Sequence, residues 1–404
     1  MNFNPVILSI PLFFILIGIE LLIERFSSNK YYRINDALTN INCGVIQQIT
    51  GIFFKVLSVG FYQYVFENFA LLELNQTWWY WILLFIGVDF LYYWAHRVSH
   101  EVNLFWGGHV VHHQSEDYNL SVAIRQSTFQ VVWTFFFYIP LAILGFNTID
   151  FVFIMGLNLI YQFWIHTETI GKMGWFEIVF NTPSHHRVHH GRNPKYIDRN
   201  HAGVFIIWDK MFGTFQKEEE RPTYGITKPL NSWNPLWANI EPYVNIWKHL
   251  ILIKGIGNKI KYLFKKPGWL PQEMGGYQSA PELDNASYVK YSTTTTLTLN
   301  WYVLFQFTLA LTGTAYFLFK QDDYTLYEKG LISSIIIITI TNGGLLFEEN
   351  KRAKPLELSR IIVLSLIGLY LSYLFDCNLI LLISSPLFAV ISIPWLYSAN
   401  FNNS

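Results

Sequence analysis

The sequence predicts an all-α fold: a polytopic integral membrane helical bundle with a histidine-rich dimetal site on its cytoplasmic side. Three observations favour this class. Of the 404 residues, 52% are hydrophobic and only 14% are charged, which is typical of membrane proteins rather than soluble domains. Several apolar windows reach the roughly 20 residues that a helix needs to cross the hydrocarbon core of a bilayer. Eleven of the twelve histidines fall between residues 96 and 201, in repeated spacings.

Seven apolar windows predict transmembrane helices, and two more are weaker candidates. The seven cover residues 5–23, 77–95, 128–146, 298–319, 331–347, 359–375 and 378–397. The weaker windows are 42–66, which contains Lys55 and glycines, and 150–165, which is short. Turn-forming residues around 147–150 predict a hairpin between the windows on either side of them. The first window has no basic segment before it and no small-residue cleavage site after it, so we expect a retained helix.

The distribution of basic residues predicts the orientation, because cytoplasmic loops of membrane proteins carry the excess of lysine and arginine. Residues 166–296 hold sixteen of the twenty-eight lysines and arginines, and three more closely follow the first window. If 42–66 crosses once and 128–165 goes out and back, residues 96–126 lie on the same side. All of the histidine motifs then face the cytoplasm.

We expect three regions along the chain. Residues 1–74 form N-terminal transmembrane helices, residues 75–290 form the domain that carries the histidines, and residues 297–404 form C-terminal transmembrane helices. The cysteines Cys43 and Cys377 lie far apart in apolar stretches, which argues against a disulfide framework and against cysteine as a metal ligand. A formal net charge of zero and the lack of a basic stripe exclude a nucleic-acid partner.

The predicted chemistry lies in one HxxxH motif and two HxxHH motifs. Their eight histidines are His96, His100, His109, His112, His113, His186, His189 and His190. Positions i, i+3 and i+4 share one helix face, so each motif can direct two or three imidazoles to one point. A lone histidine beside an apolar helix is usually structural, but three such motifs together predict metal ligands. Eight ligands exceed the four of one structural zinc and suit two ions.

The spacing alone leaves the metal open, since imidazole binds zinc, copper, iron and nickel. The lack of cysteine near the motifs disfavours an iron–sulfur cluster. Iron follows only if the protein is an oxygenase, because zinc has no accessible redox change.

The three motifs in this order resemble those of the fatty acid hydroxylase and sterol desaturase superfamily of integral membrane di-iron oxygenases. Within it, the sequence is most similar to the ether-lipid-cleaving branch, the alkylglycerol monooxygenases. The similar stretches lie within residues 75–285 and are 96–103, 109–120 with 125–127, 182–193 and 200–214. The run from Glu116 to Asn119 departs from the small-residue, proline-containing segment usual in sterol desaturases, which favours the ether-lipid branch.

The resemblance implies two iron ions, O2 as oxidant, and tetrahydrobiopterin or a related reduced pterin as electron donor. The implied reaction hydroxylates the ether-linked carbon of an alkylglycerol, giving a hemiacetal that collapses to a fatty aldehyde and glycerol. The implied partners are this lipid substrate and the membrane.

Two alternatives stay open. One is a sterol or fatty-acyl hydroxylase or desaturase on the same di-iron centre, which would take electrons from a donor protein. A more remote one is a histidine-rich metal transporter. The motifs disfavour the transporter, since they lie at the ends of apolar windows and belong to no internal repeat.

We expect the eight motif histidines to be ligands and His166 to be a ninth. His166 ends an apolar window, and a lone histidine at this place recurs in the superfamily; the alternative is a histidine that anchors the helix end. His201 and His249 are expected to be structural.

Other residues are expected to hold the ligands in place by hydrogen bonds, because ligating histidines usually donate their second nitrogen to a carboxylate or a carbonyl. The candidates are Asp89, Glu101, His185, Glu116, Asp117 and Glu168. His185 is alternatively a substitute ligand. Asp89 lies inside an apolar window, where an unpaired carboxylate is costly, so we expect a histidine or an arginine to pair with it.

Overall fold

The described part of the chain is helical throughout, which confirms the all-α class. A computed structural model describes residues 5–282, 288–374, 378–399 and 401, and within these ranges the only strand-like pairing is one isolated bridge between Phe180 and Phe205. Cys43 is a buried thiol, whereas Cys377 lies outside the described residues. By its contacts the chain divides into two compact units, the first Met1–Leu230 with Asn239–Lys290 and the second Asn231–Ala238 with Tyr291–Ser404.

Helices of very different length precede the second unit's main segment. They are α1 (Pro5–Phe26), α2 (Ile34–Phe69), α3 (Trp78–Glu101), α4 (Asn103–His113), α5 (Leu120–Ile124), α6 (Val131–Thr134), α7 (Ile139–Ile143), α8 (Thr148–Trp164), α9 (Pro183–His189), α10 (Ile207–Phe212), α11 (Pro235–Leu252) and α12 (Ile256–Phe264). The later helices are α13 (Leu297–Lys320), α14 (Leu326–Phe347), α15 (Ala353–Leu374) and α16 (Leu379–Ser398).

Five helical segments within the described residues are long and apolar enough to cross a membrane, which makes the chain a multi-pass membrane protein. They are Ile34–Phe69, Leu297–Asp323, Leu326–Phe347, Ala353–Leu374 and Leu379–Ser398. The weaker window 42–66 therefore lies in one of the five. Helix α3 has the length of a span but contains Asp89 and several tryptophans and tyrosines, which lower its mean hydropathy.

The predicted single helix over 128–146 is wrong in its form. The structure has a shorter apolar helical segment, Val131–Ile143, which a 3-10 turn interrupts at Phe135–Tyr138 just before Pro140. Proline has no backbone N–H to donate, so the regular α-helical ladder breaks there. Helix α8 then begins at Thr148 and is capped by Asn147, whose side chain accepts a hydrogen bond from the backbone N–H of Ile149 at 2.8 Å.

Within the first unit, α3 and α4, which carry the first two histidine motifs, pack side by side. Helix α3 packs against α4 and α8, while α2 packs against α5 and α7. The chain passes from α3 to α4 through Val102 alone, and the Val102 N–H still bonds the Val98 carbonyl at 3.0 Å. This tight connection brings the HxxxH motif at the end of α3 next to the first HxxHH motif on α4.

The second unit contains a buried ion pair within its apolar helices. Glu357 and Arg360 both lie on α15, and the Glu357 carboxylate also accepts hydrogen bonds from the Tyr302 hydroxyl at 2.5 Å and from the Asn342 side-chain amide at 2.8 Å. The Arg360 guanidinium also donates to Gln306 at 2.7 Å. The cluster joins α13, α14 and α15, and charged groups at such positions are costly unless they are paired.

Substitution of Glu357 by alanine should destabilise the second unit. Removing one member of a buried ion pair leaves an uncompensated charge, which costs about 3–5 kcal/mol. We expect a clearly lower thermal midpoint for detergent-solubilised Glu357→Ala, measured by fluorescence-detected size exclusion after heating. The Glu357→Gln variant, whose side-chain oxygen can still accept from Tyr302, should have a thermal midpoint between those of the parent and of Glu357→Ala. An Ala variant as heat-resistant as the parent would contradict this role.

Candidate metal centre

Nine buried histidines come together in two groups that could each hold a metal ion. Group one consists of His96, His100, His109, His113 and His189. Group two consists of His112, His166, His186 and His190. Within each group, one ring nitrogen from every residue lies within 4.8 Å of all the others. The structure thus gathers the eight motif histidines and His166, and it divides them in a way that the sequence left open.

Each HxxHH motif contributes to both groups. On α4, His109 and His113 belong to group one, whereas His112 belongs to group two. In the second HxxHH motif, on α9 and its C-cap residue His190, the assignment is reversed, since His186 and His190 belong to group two and His189 to group one. Residues i and i+4 project nearly in line along a helix, while i+3 projects to the other side of that line. Two short helices can therefore supply ligands to two neighbouring centres at once.

Backbone carbonyls orient four of these rings. The Nδ1–H groups donate to the carbonyls of His201 (from His96, 2.7 Å), Arg125 (from His112, 2.9 Å), Gln162 (from His166, 2.7 Å) and Arg199 (from His189, 2.9 Å). A carbonyl oxygen can only accept, so Nδ1 carries the proton in each case. In the neutral rings Nε2 is then left with a lone pair, which is the form that binds a metal.

The geometry of group two fits a metal ion. The Nε2 atoms of His112 and His166 are 3.2 Å apart, and those of His166 and His186 are 3.0 Å apart. Since His112 and His166 both commit their protons to carbonyls, no proton is available to bridge their two Nε2 lone pairs. Two lone pairs at this distance repel each other in a buried site, and a cation between them removes the repulsion.

Burial keeps the imidazoles neutral. Desolvation lowers the pKa of all six histidines on α4 and at α9, and the pKa of His112 falls to about 4. Further histidines in contact reinforce the shift for most of them, since neighbouring imidazolium ions would repel. The rings are therefore ready to act as ligands at neutral pH without first losing a proton.

Asp89 has no histidine or arginine partner among the described residues, so the expectation of such a pair is wrong. The buried carboxylate accepts from the backbone N–H groups of Val204 (2.7 Å) and Phe205 (3.0 Å). It also accepts from the Trp208 indole at 2.9 Å and the Asn158 amide at 2.8 Å. Neutral donors satisfy it fully, and it ties α3 and α8 to the segment after the last motif.

The other predicted helpers make different contacts. Glu101 faces Arg97 (3.3 Å) and Lys266 (3.6 Å), and the His185 ring lies beside Phe215 with ring centroids 5.4 Å apart, outside both groups. The remaining carboxylates bond cations or a phenol: Glu116 with Tyr288, Asp117 with Arg33 and Lys290, and Glu168 with Arg221. Backbone carbonyl oxygens, rather than the expected carboxylates, thus accept most of the hydrogen bonds from the grouped histidines.

Sequence reasoning missed Asp198 and Arg125. A carboxylate oxygen of Asp198 lies 3.7 Å from Nδ1 of His100. The buried Arg125 guanidinium donates to the Val111 carbonyl at 2.6 Å and to the Gln114 side chain at 2.7 Å, which places its own carbonyl for His112. A buried arginine has no periodic signal. A positive φ of 56° at Asp198 marks a tight turn that no motif announces.

Comparison with known proteins assigns the family. The fatty acid hydroxylase family model matches residues 81–214, which include all nine grouped histidines. Alkylglycerol monooxygenase from Homo sapiens is 40% identical over 361 residues, or 87% of this chain and 80% of that protein. The Xenopus tropicalis alkylglycerol monooxygenase is 38% identical over 95% of this chain and 86% of its own length. The Danio rerio alkylglycerol monooxygenase is 37% identical over 88% and 80%.

This chain belongs to the alkylglycerol monooxygenase family. It is therefore an oxygenase of the fatty acid hydroxylase type, and the predicted resemblance is confirmed. No solved structure gives a significant match to the chain. Membership in the family, together with two groups of neutral imidazoles, indicates iron as the metal.

Replacing one histidine from either group should remove metal. For His112→Ala in group two, or His189→Ala in group one, we expect a lower iron content and loss of activity, because one of the two histidine groups lacks a ligand. Iron per chain is measured by plasma mass spectrometry on purified protein. His249→Ala is the control, since His249 lies on α11 outside both groups. Full iron content in both ligand variants would contradict the grouping.

Asp89→Ala should destabilise the unit that holds the histidines. It leaves four donors without an acceptor, two of them buried and two partly buried, and each unsatisfied buried donor costs about 1–3 kcal/mol. We expect a loss of at least about 3 kcal/mol, seen as a lower thermal midpoint, together with a lower iron content. Asp89→Asn should lose less, because its carbonyl oxygen still accepts from some of these donors. A midpoint and iron content equal to those of the parent would refute the role of Asp89.

Proposed function

We propose that the chain is an alkylglycerol monooxygenase that uses two iron ions, O2 and a reduced pterin, tetrahydrobiopterin or a close relative. The observation that carries the proposal is the pair of histidine groups in a chain 40% identical to an alkylglycerol monooxygenase over 87% of its length. One iron would be held by each group, with His96, His100, His109, His113 and His189 at one ion and His112, His166, His186 and His190 at the other. We also propose residues 75–290 as the catalytic domain and 297–404 as transmembrane helices outside it.

The proposed reaction inserts one oxygen atom into a C–H bond of the carbon attached to the ether oxygen. The second oxygen atom leaves as water, with two electrons from the pterin and two protons. The resulting hemiacetal breaks its bond to the ether oxygen and gives a fatty aldehyde and glycerol. Bound iron supplies the redox chemistry, and the chain supplies the ligands, their orientation and a buried setting.

The residues of the chain serve this reaction by holding the centre rigid and dry. All nine grouped histidines are buried, and carbonyls fix the tautomer of four of them. Tyr118 stacks on Tyr224, with ring centroids 4.8 Å apart, and its ring centroid lies 5.2 Å from that of His190. Both tyrosines are buried, so the surroundings of group two on this side are aromatic.

We further propose that the histidines face the cytoplasm. The support is the excess of lysine and arginine in residues 166–296, since cytoplasmic loops carry such an excess. The third histidine motif lies within these residues, and the first two motifs join it in the two histidine groups. A water-soluble pterin would then reach the site from the cytoplasm, and the lipid would reach it from the membrane.

Product analysis tests the proposal. Purified protein in nanodiscs receives a 1-O-alkylglycerol, isotopically labelled O2 and tetrahydrobiopterin. We expect a fatty aldehyde that carries the label, and glycerol, in amounts that require both O2 and pterin. The matched control substrate is the corresponding ester-linked monoacylglycerol, which has no ether-linked carbon.

Two results would reject the assignment. Lack of aldehyde with pterin, combined with a hydroxylated sterol or fatty-acyl product when a ferredoxin or cytochrome supplies electrons, would establish the alternative hydroxylase. One labile zinc per chain, and no iron, would favour the metal transporter.

A further inference from the structure

A short amphipathic helix in the first unit exposes a purely apolar stripe. Helix α12 leaves Ile256, Ile260 and Phe264 exposed by 75%, 52% and 54%. These positions are four residues apart and so lie on one face of the helix. Exposed large side chains in a row at this spacing mark a surface that meets an apolar partner.

The opposite face of α12 is anchored in the protein. Tyr262 is buried, and it forms a small core with Ile246 and Ile253, against which Leu263 and Trp269 also pack. The exposed stripe is therefore not an unpacked docking face, because α12 packs against the protein through its opposite face.

The sequence around the stripe is rich in lysine and contains no acidic residue. Residues 245–266 contain six lysines and neither aspartate nor glutamate, although the whole chain has equal numbers of acidic and basic residues. On a helical projection Lys259 and Lys261 lie on the two sides of the stripe. Of the six, Lys266 bonds Glu101 and Asp198, whereas the described ion pairs include none of the others: Lys248, Lys254, Lys259, Lys261 and Lys265.

We propose that α12 lies flat in the headgroup layer of the membrane and selects anionic phospholipids. An apolar stripe between lysines is the pattern of interfacial helices, in which the apolar side chains enter the acyl boundary and the ammonium groups reach lipid phosphates. The end of α11 adds an exposed Trp247, a residue enriched at membrane interfaces. At nine residues the helix is too short to span.

The surface of α12 is connected directly to the helix that carries the first HxxHH motif. The backbone N–H of Asn103, the first residue of α4, donates to the Lys265 carbonyl at 2.9 Å, and its side chain donates to the Tyr262 carbonyl at 3.2 Å. Lys266 also pairs with Asp198, whose carboxylate is near His100. Docking of α12 on lipid headgroups therefore fixes the depth of the histidine groups relative to the bilayer surface. This inference does not depend on which lipid is oxidised.

Fluorescence quenching in nanodiscs tests the proposal on the full chain. Cys43→Ala and Cys377→Ala provide the background, and Ile260→Cys carries a bimane label. Lipids brominated in their acyl chains quench labels that enter the acyl boundary. We expect strong quenching at position 260 that increases when phosphatidylglycerol replaces part of the phosphatidylcholine. Lys217→Cys is the control site, because Lys217 is exposed and precedes three glutamates, and it should not be quenched.

Two double variants at Lys259 and Lys261 distinguish selection of anionic headgroups from simple apolar contact. Lys259→Gln with Lys261→Gln should weaken the response to phosphatidylglycerol, by about fivefold in partitioning for each charge lost. Lys259→Arg with Lys261→Arg keeps the charges and should retain the response. Iron content and melting of each variant, compared with the parent, show that it is folded.

Three outcomes would overturn the proposal. The first is quenching at position 217 as strong as that at 260. The second is quenching at 260 that ignores phosphatidylglycerol. The third is a label at 260 that is shielded from an aqueous quencher in detergent, together with a doubled particle mass, since the stripe would then be covered by a second copy of the chain.

Discussion

The hydrogen bonds from imidazole Nδ1 groups to backbone carbonyls are the constraint on which the centre depends. Two of these four carbonyls belong to helix ends, where the last C=O groups have no partner within the helix. Gln162 lies in the last turn of α8, and Arg125 is the residue that ends α5. The free carbonyls carry partial negative charge, which stabilises the donated proton and raises the basicity of the other ring nitrogen. The same carbonyl groups that end these helices therefore also orient the ligand rings.

The alternation of the HxxHH motifs couples the two groups. Because His112 and His189 each project away from their neighbours, α4 and α9 must keep a fixed rotation relative to each other. A rotation that improved one group would withdraw ligands from the other. The short distances between Nε2 atoms, 2.9 Å between His96 and His109 and 3.0 Å between His166 and His186, leave little freedom. Most of the grouped histidines lie on helices α3, α4 and α9, while His166 and His190 directly follow the ends of α8 and α9.

The sequence was sufficient for the helical class and the membrane character, because these depend on local composition, and helical spacing singled out eight of the nine histidines that the structure gathers. The gathering of His166 with the motif histidines agrees with the expectation that was drawn from resemblance. The partition into groups was out of reach, since it depends on the rotation of α4 and α9. The partners of Asp89 were also out of reach, because backbone N–H groups carry no sequence signal. Pro140 is a local signal for the break in the helix, but the continuous apolar composition of the window predicted a single span.

Two buried carboxylates accept hydrogen bonds from the backbone of the segment that follows the third motif. Asp209 accepts from the N–H groups of His201 and Ala202, both at 2.8 Å, and from the Thr214 hydroxyl at 2.6 Å. Asp89 accepts from the next amides along, those of Val204 and Phe205.

With these amides held, the carbonyls on the other side of the same backbone point to the histidines: Arg199 to His189, and His201 to His96. Burial raises the pKa of Asp209 to about 6, so its ionised form depends on these three donors. The polar residues of the stretch from Asn200 to Thr214 therefore act on the metal site indirectly, by aiming carbonyls. The stretch from Asn200 to Thr214 contributes no residue to either histidine group, yet its hydrogen bonds hold the backbone whose carbonyls orient His96 and His189.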